Sequence, residues 1–414
     1  MCPASALSFR HPPFVLATSA RGLAALALAA ALAACQDPSG VGLGLIDDET
    51  SDPNAVRVEA ATVDLRSGPE VTYGFARGGG TPVQTRALLG DVRDAQFGDG
   101  RAIAYLDLRK GTLPADFEDD RTVEQAELRL VRASIYGDTT ATLPVELREV
   151  TASWSPISLP IDTTLATGEV LDTYSVSVGD SVAVLPLPAA FVADRDTLFR
   201  GSFDTAFEGF ELRVPEGAAA GPGAVVGINA LSSVLRLISD EYDDDGEATR
   251  DTVDYPIVEV FSSLRRAPAT VATPDRVLLR DGDTTAVALT FDFAAIEGRP
   301  LANGSLRFRV DRSLVSDEGS FVRPLLTDVG LFGILDDATR VFLSEIEIGD
   351  GDIVTLQSAF LTAAIQARLL GRQPYERFEL VPAPDPLSFG ILPISIGGAD
   401  EVARPRLSLV VVGG

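Results

Sequence analysis

Ala126-Glu127-Leu128-Arg129-Leu130 and, 178 residues later, Gly304-Ser305-Leu306-Arg307-Phe308 both alternate small or apolar residues with polar ones. A period of two sends successive side chains to opposite faces of an extended chain, so each segment reads as a strand with one buried face and one wetted face. Val56-Arg57-Val58, Val145-Glu146-Leu147-Arg148-Glu149-Val150 and Tyr174-Ser175-Val176-Ser177-Val178 follow the same rule. Gly, Asp and Pro separate these runs, as they do between strands of antiparallel sheets. Two stretches read as short helices: Ala189 to Arg195, and Leu356 to Leu370, where apolar residues recur at spacings of three and four. The expected fold class is all-β: two tandem antiparallel jelly-roll-like β-sandwich lobes, each with one short helix.

The tandem arrangement rests on an internal repeat. Val178-Gly179-Asp180 matches Ile348-Gly349-Asp350, Ala190-Phe191 matches Ala359-Phe360, and Phe210-Glu211-Leu212 matches Phe378-Glu379-Leu380, at offsets of 170, 169 and 168. The opening pair extends the series, and Tyr255 to Val260 aligns with Arg404 to Leu409 at an offset of 149. Insertions in surface loops produce such drift. The lobes are therefore expected at residues 55–265 and 268–414, with the seam near Arg265-Arg266-Ala267-Pro268.

The first 54 residues read differently. A leader with Arg10, Arg21 and no acidic residue precedes the thirteen-residue apolar run Gly22 to Ala34, and Leu32-Ala33-Ala34-Cys35 closes it. This pattern resembles a bacterial lipoprotein signal peptide, residues 1–34, cleaved between Ala34 and Cys35. The apolar run is too short to span a bilayer, which takes roughly 20 residues. The resemblance implies lipidation of Cys35, and several acyl chains anchor durably where one is marginal. Residues 35–54, rich in Gly and Asp, read as an acylated flexible tether. Gln36 after the cysteine implies sorting to the cell outer membrane, on its periplasmic or its surface-exposed side.

Loss of the leader would remove the chain's only histidine, His11, along with Met1 and Cys2. The expected mature chain then has no His-based acid, base or nucleophile system, no His/Cys metal site and no disulfide. The formal charge of −26 becomes −28 once Arg10 and Arg21 are gone, and Lys110 is the only lysine. Nucleic acid demands a basic surface, so it is not an expected partner. Acidic lipid headgroups would repel the body, leaving the lipid anchor as the expected membrane contact.

Two resemblances bear on purpose. Val123 to Leu130 followed by Val145 to Trp154 resembles jelly-roll domains of the DNRLRE type, which are similar to carbohydrate-binding modules; the string that names that type is absent from this chain. Cys35 with its acidic tether, then Leu88-Leu89-Gly90-Asp91, Gln96-Phe97-Gly98 and Ala102 to Leu108, resembles a family of uncharacterised surface lipoproteins with domains of unknown function. These resemblances imply an envelope location and a β fold, with no established activity.

Trp154, the only tryptophan, is the candidate ligand-binding residue, because a flat indole can stack on the C–H face of a sugar. A tryptophan just after a strand also serves as a core or lid residue. Tyr105, Tyr136 and Tyr174 are candidates to extend an aromatic platform. Asp243 and Asp245, within the run Asp240 to Glu247, offer oxygen ligands of the kind calcium prefers. The helix-loop-helix calcium template fails there, since Thr252 stands where a bidentate glutamate is needed, and the run reads better as a solvated hairpin tip between Leu235 to Ile238 and Pro256 to Val258. No other cofactor is expected. Gly78-Gly79-Gly80 lacks a following Lys-Ser/Thr and is a loop. The expected function is a non-catalytic, membrane-anchored envelope lipoprotein that binds a cell-surface glycan or an envelope protein, or serves a structural role. The alternative is a histidine-free hydrolase, such as a glycoside hydrolase, working through a pair of carboxylates.

Overall fold

The computed structural model describes residues 54–67, 85–108, 123–156, 159–200, 207–219, 221–242, 248–269, 275–281, 285–315, 319–383, 388–397 and 404–412. Residues Val56–Gly414 form one compact unit. The strands in chain order are β1 (Ala55–Ser67), β2 (Arg86–Val92), β3 (Gly100–Leu108), β4 (Val123–Asp138), β5 (Thr142–Val150), β6 (Thr167–Ser177), β7 (Val182–Pro186), β8 (Phe210–Arg213), β9 (Gly223–Tyr242) and β10 (Ala248–Arg266). They continue as β11 (Arg276–Arg280), β12 (Thr285–Phe291), β13 (Leu301–Arg309), β14 (Phe321–Val322), β15 (Asp328–Leu335), β16 (Arg340–Glu347), β17 (Ile353–Gln357), β18 (Tyr375–Pro382), β19 (Ile391–Ser395) and β20 (Arg406–Val411). The helices are α1 (Ala189–Asp194), α2 (Asp196–Arg200) and α3 (Ala359–Leu369).

The chain is mostly β, with two large antiparallel sheets, as the alternation predicts. Ala126, Leu128 and Leu130 point into the first core, while Glu127 and Arg129 between them remain partly exposed. Leu306, Phe308 and Val310 do the same in the second core. The first sheet runs β14-β4-β9-β10-β3-β8-β5-β6, with β2 joined to β3 and β9, and β7 to β4. It curls until β6 faces β7, where the Tyr174 hydroxyl donates to the Pro186 carbonyl, so this sheet is nearly closed. The second sheet runs β16-β15-β18-β12-β1-β20-β13-β17 and holds α3 against its core through Leu361, Ala364, Ile365 and Leu369.

Several of the strings matched in the sequence lie opposite apolar residues in both sheets. Leu128 lies opposite Leu185 and Leu306 opposite Leu356; Phe210 lies opposite Leu106 and Phe378 opposite Leu289; Leu212 faces Leu147 as Leu380 faces Leu331. Two expectations need correction. The alignment of 255–260 with 404–409 is wrong, because Leu407 faces Leu306 as Leu235, on β9, faces Leu128. β20 is therefore the counterpart of β9. The counterpart of β10 is the amino-terminal strand: Val260 faces Leu106, and Val63 faces Leu289. The boundary of the first lobe at residue 55 is corrected with it, since β1 lies in the second sheet, while β14 joins the first beside β4. Periodicity fixes which face of a strand is buried, not which neighbour it takes.

The helix expected from Leu356 starts later. Ser358 accepts from the Phe360 amide and caps α3, leaving Leu356 in β17. The first half carries α2 in addition to the expected α1.

A third cluster joins the halves. Leu88, Phe97, Tyr136, Val225 and Leu264 pack with Leu278, Phe389 and Ile391. Within it Asp94, with its side chain sealed from solvent, accepts from Arg323 Nε at 2.8 Å, from the Tyr136 hydroxyl at 2.7 Å and from the Gln96 and Phe97 amides. Arg266 lies over the Phe389 ring at 4.4 Å, and Arg280 donates to the Phe97 and Ala267 carbonyls.

Candidate functional site

On the outward face of the first sheet, Tyr105 of β3 sits opposite Glu211 of β8 on one side and Phe261 of β10 on the other. Alternation places it there, because Ala104 and Leu106 point into the core. The rings of Tyr105 and Phe261 stack at 5.8 Å, and Trp154 leans on both, at 6.4 and 6.5 Å. Its indole N–H donates to the Glu208 carbonyl at 2.8 Å, while the Leu165 amide donates to the Tyr105 hydroxyl. Trp154, Leu159 and Leu165 thus cover a small satellite core, and the indole is partly buried.

Glu211 lies at the base of this cluster, 1% exposed. Its Oε1 is 3.6 Å from Arg213 Nε and 3.9 Å from Arg148 Nε, and neither oxygen meets a donor in hydrogen-bond geometry. Both arginines instead donate to Glu146 Oε2 at 3.0 Å. The two carboxyls are driven apart. Burial raises Glu211 above the usual carboxylate range, only partly offset by the Tyr105 hydroxyl and the two arginines, and the Glu146 charge adds to the rise. Glu146 is lowered, its own burial being outweighed by hydrogen bonds from Arg148 and Arg213. Burial, with the Glu211 charge next, pushes the Tyr105 phenol well above its ordinary value.

The second half contains the equivalent carboxylate beside a different aromatic pair, Phe332 of β15, which stands opposite it, and Phe342 of β16. Glu379, 4% exposed, is bonded by Arg377 at 2.9 Å, with Arg340 at 3.6 Å and Arg66 of β1 at 3.9 Å, and Ala288 stands opposite it where Tyr105 stands in the first half. The stacked Tyr105–Phe261–Trp154 cluster over Glu211 thus differs from the Phe332–Phe342 pair beside Glu379. Split acids are a mark of acid–base chemistry where a substrate can reach both, but Glu211 is sealed beneath the sheet's own side chains. In this setting the raised carboxyl links the stability of the fold to pH.

A pH-dependent stability follows. With its folded value raised, Glu211 keeps a proton that the unfolded chain releases above about pH 4.3. Its stabilising contribution is complete below that pH and is lost as pH rises through the raised value. Glu211→Gln is expected to abolish that decline, leaving the variant more stable than the parent at neutral pH. Denaturant midpoints measured from pH 4 to 8 check this; parallel curves for variant and parent would refute it.

The structure brings Trp154 and Tyr105 together and adds Phe261, whose place in Val260-Phe261 alternation could have suggested. It does not bring in Tyr136, buried in the cluster between the halves, or Tyr174, engaged at the seam of the first sheet. Elsewhere a concavity of about 470 Å³ is lined by Arg276, Arg309, Asp311, Arg312 and Asp352 among others; Arg276 pairs with Asp311 at 2.5 Å, and Arg312 lies 3.7 Å from Asp352. Ala34, Cys35, Asp243 and Asp245 lie outside the described residues. Among the described residues there is no group of three or more His, Cys, Asp or Glu able to hold a metal ion, and no helix long and apolar enough to cross a membrane. No family model matches the chain, and no curated protein matches it.

Proposed function

We propose that this is a lipid-anchored protein of the bacterial envelope, without catalytic activity, whose body consists of two jelly-roll-like lobes and whose role is binding or structural. The observation that carries the anchoring is Leu32-Ala33-Ala34-Cys35 at the end of a short apolar run with a basic leader. The matched strings that lie opposite apolar residues in both sheets support the repeated lobe. The sealing of Glu211 speaks against the carboxylate-pair hydrolase, since the raised acid is out of reach of a substrate.

Carbohydrate is the ligand class to test first, through the partly buried indole of Trp154 at the surface of its aromatic cluster. Expressed in a two-membrane bacterium fed a labelled fatty acid, the full chain should acquire the label and sediment with outer membranes, and Cys35→Ala should do neither. Label retained by Cys35→Ala would overturn the anchor. On a glycan array the parent should bind and Trp154→Ala should bind more weakly. Equal binding by the two would remove Trp154 from the site.

A further inference from the structure

The second sheet is completed by a strand that comes from the far end of the chain. In the first half, β10 fills the place beside β3 and is held to β9 by a hairpin whose register runs from Ala248 opposite Tyr242 to Pro256 opposite Val234. In the second half the same place, between β12 and β20, is filled by β1. No hairpin ties β1 to either neighbour in the sheet: it is separated from β20 by most of the chain, and from β2 by the eighteen residues 68–85. Without β1 both β12 and β20 would present unpaired edges, an arrangement that recruits another strand.

The grip on β1 is mainly a backbone one. Among its described side chains only Ala60 is fully buried, while Val56, Val58 and Val63 are partly so. β10, by contrast, buries Val253, Tyr255, Ile257, Val260, Phe261 and Leu264. Among its described residues, withdrawing β1 uncovers one fully buried alanine and three partly buried valines, and what it loses in ladder hydrogen bonds an identical strand restores.

From this we propose that the β12–β20 slot is a strand-acceptor site for the β1 segment, filled either by the chain's own β1 or by that of a second copy, so that the protein forms strand-exchanged dimers. Exchange replaces each contact with the same contact, so the balance is set by the connection and by concentration. Eighteen residues extend to about 60 Å at most, enough to reach a neighbouring molecule.

The register supplies the test. Thr62 lies opposite Thr290, and both are reachable, Thr62 exposed and Thr290 half-buried. Two full-length chains with different tags, one Thr62→Cys and one Thr290→Cys, are produced together under oxidising conditions, alongside a Thr62→Cys/Thr290→Cys double variant. Thr62→Cys with Glu297→Cys, an exposed position outside the slot, controls for chance collision. The expected results are an intrachain bond in the double variant and a covalent dimer carrying both tags from the mixed single variants, at a yield well above the Glu297 control. An intrachain bond with no mixed dimer above control would overturn the exchange. Failure of the double variant to close its bond would overturn the slot itself.

Discussion

Replacing Asp94 with alanine is expected to destabilise the protein by about 3–5 kcal/mol, the usual cost of stranding one member of a buried ion pair. Arg323, 7% exposed at its side chain, would keep its charge and lose the carboxylate to which its Nε donates, and the Tyr136 hydroxyl and two backbone amides would lose their acceptor. Removing both charges together, Asp94→Leu with Arg323→Met, should cost much less, because no unmatched charge stays buried. Urea unfolding of the three proteins measures this. A double variant no better than Asp94→Ala would mean that shape, rather than charge, governs the junction. The acid limb has a definite sign. Burial raises the Asp94 carboxyl, but the bonds from Arg323, Tyr136 and the Gln96 and Phe97 amides outweigh it and hold the group below its ordinary value. Its contribution is therefore complete above about pH 4 and disappears as pH falls through the depressed value. Asp94→Ala should lack that acid-side loss.

The second large effect is expected at Phe389. Its side chain is fully buried, edge-on to Tyr136 at 5.4 Å and beneath the Arg266 guanidinium, and it fills the space that a side chain at Gly100 would occupy. Phe389→Ala should cost about 3–5 kcal/mol, through lost burial and the cavity left behind. The backbone adds a signature. Phe389 has φ of 59°, in the left-handed region that costs a residue with a Cβ about 1–2 kcal/mol. Phe389→Gly should consequently be less destabilising than Phe389→Ala, reversing the usual order of the two. Thermal midpoints compared across the three proteins decide it, and alanine proving the milder change would contradict the backbone argument.

Both residues lie where the halves of the chain meet, and neither was legible as important. Asp94-Ala95-Gln96-Phe97 could be recognised as a local turn, since the carboxylate accepts from amides two and three residues on. Nothing at that position announced Arg323, 229 residues away. The candidate site was partly legible. Trp154 stood out by being alone of its kind, and Phe210-Glu211-Leu212 stood out as a repeated string, but that Glu211 and Tyr105 oppose each other depends on the pairing of β3 with β8.

By itself the sequence determined the β character, the buried face of the strands its alternation marks, the likeness of the strings around Leu128 and Leu306 and around Phe210 and Phe378, and an inventory with a single histidine, His11. These properties follow from spacing along one strand and from the inventory of side chains. The tertiary structure alone decided that β1 closes the second sheet, that β14 crosses to the first, and that Asp94 and Arg323 neutralise each other out of water. Any amphipathic strand presents the same ladder of N–H and C=O groups to any other, so the choice of neighbour is made by the packing of the whole chain.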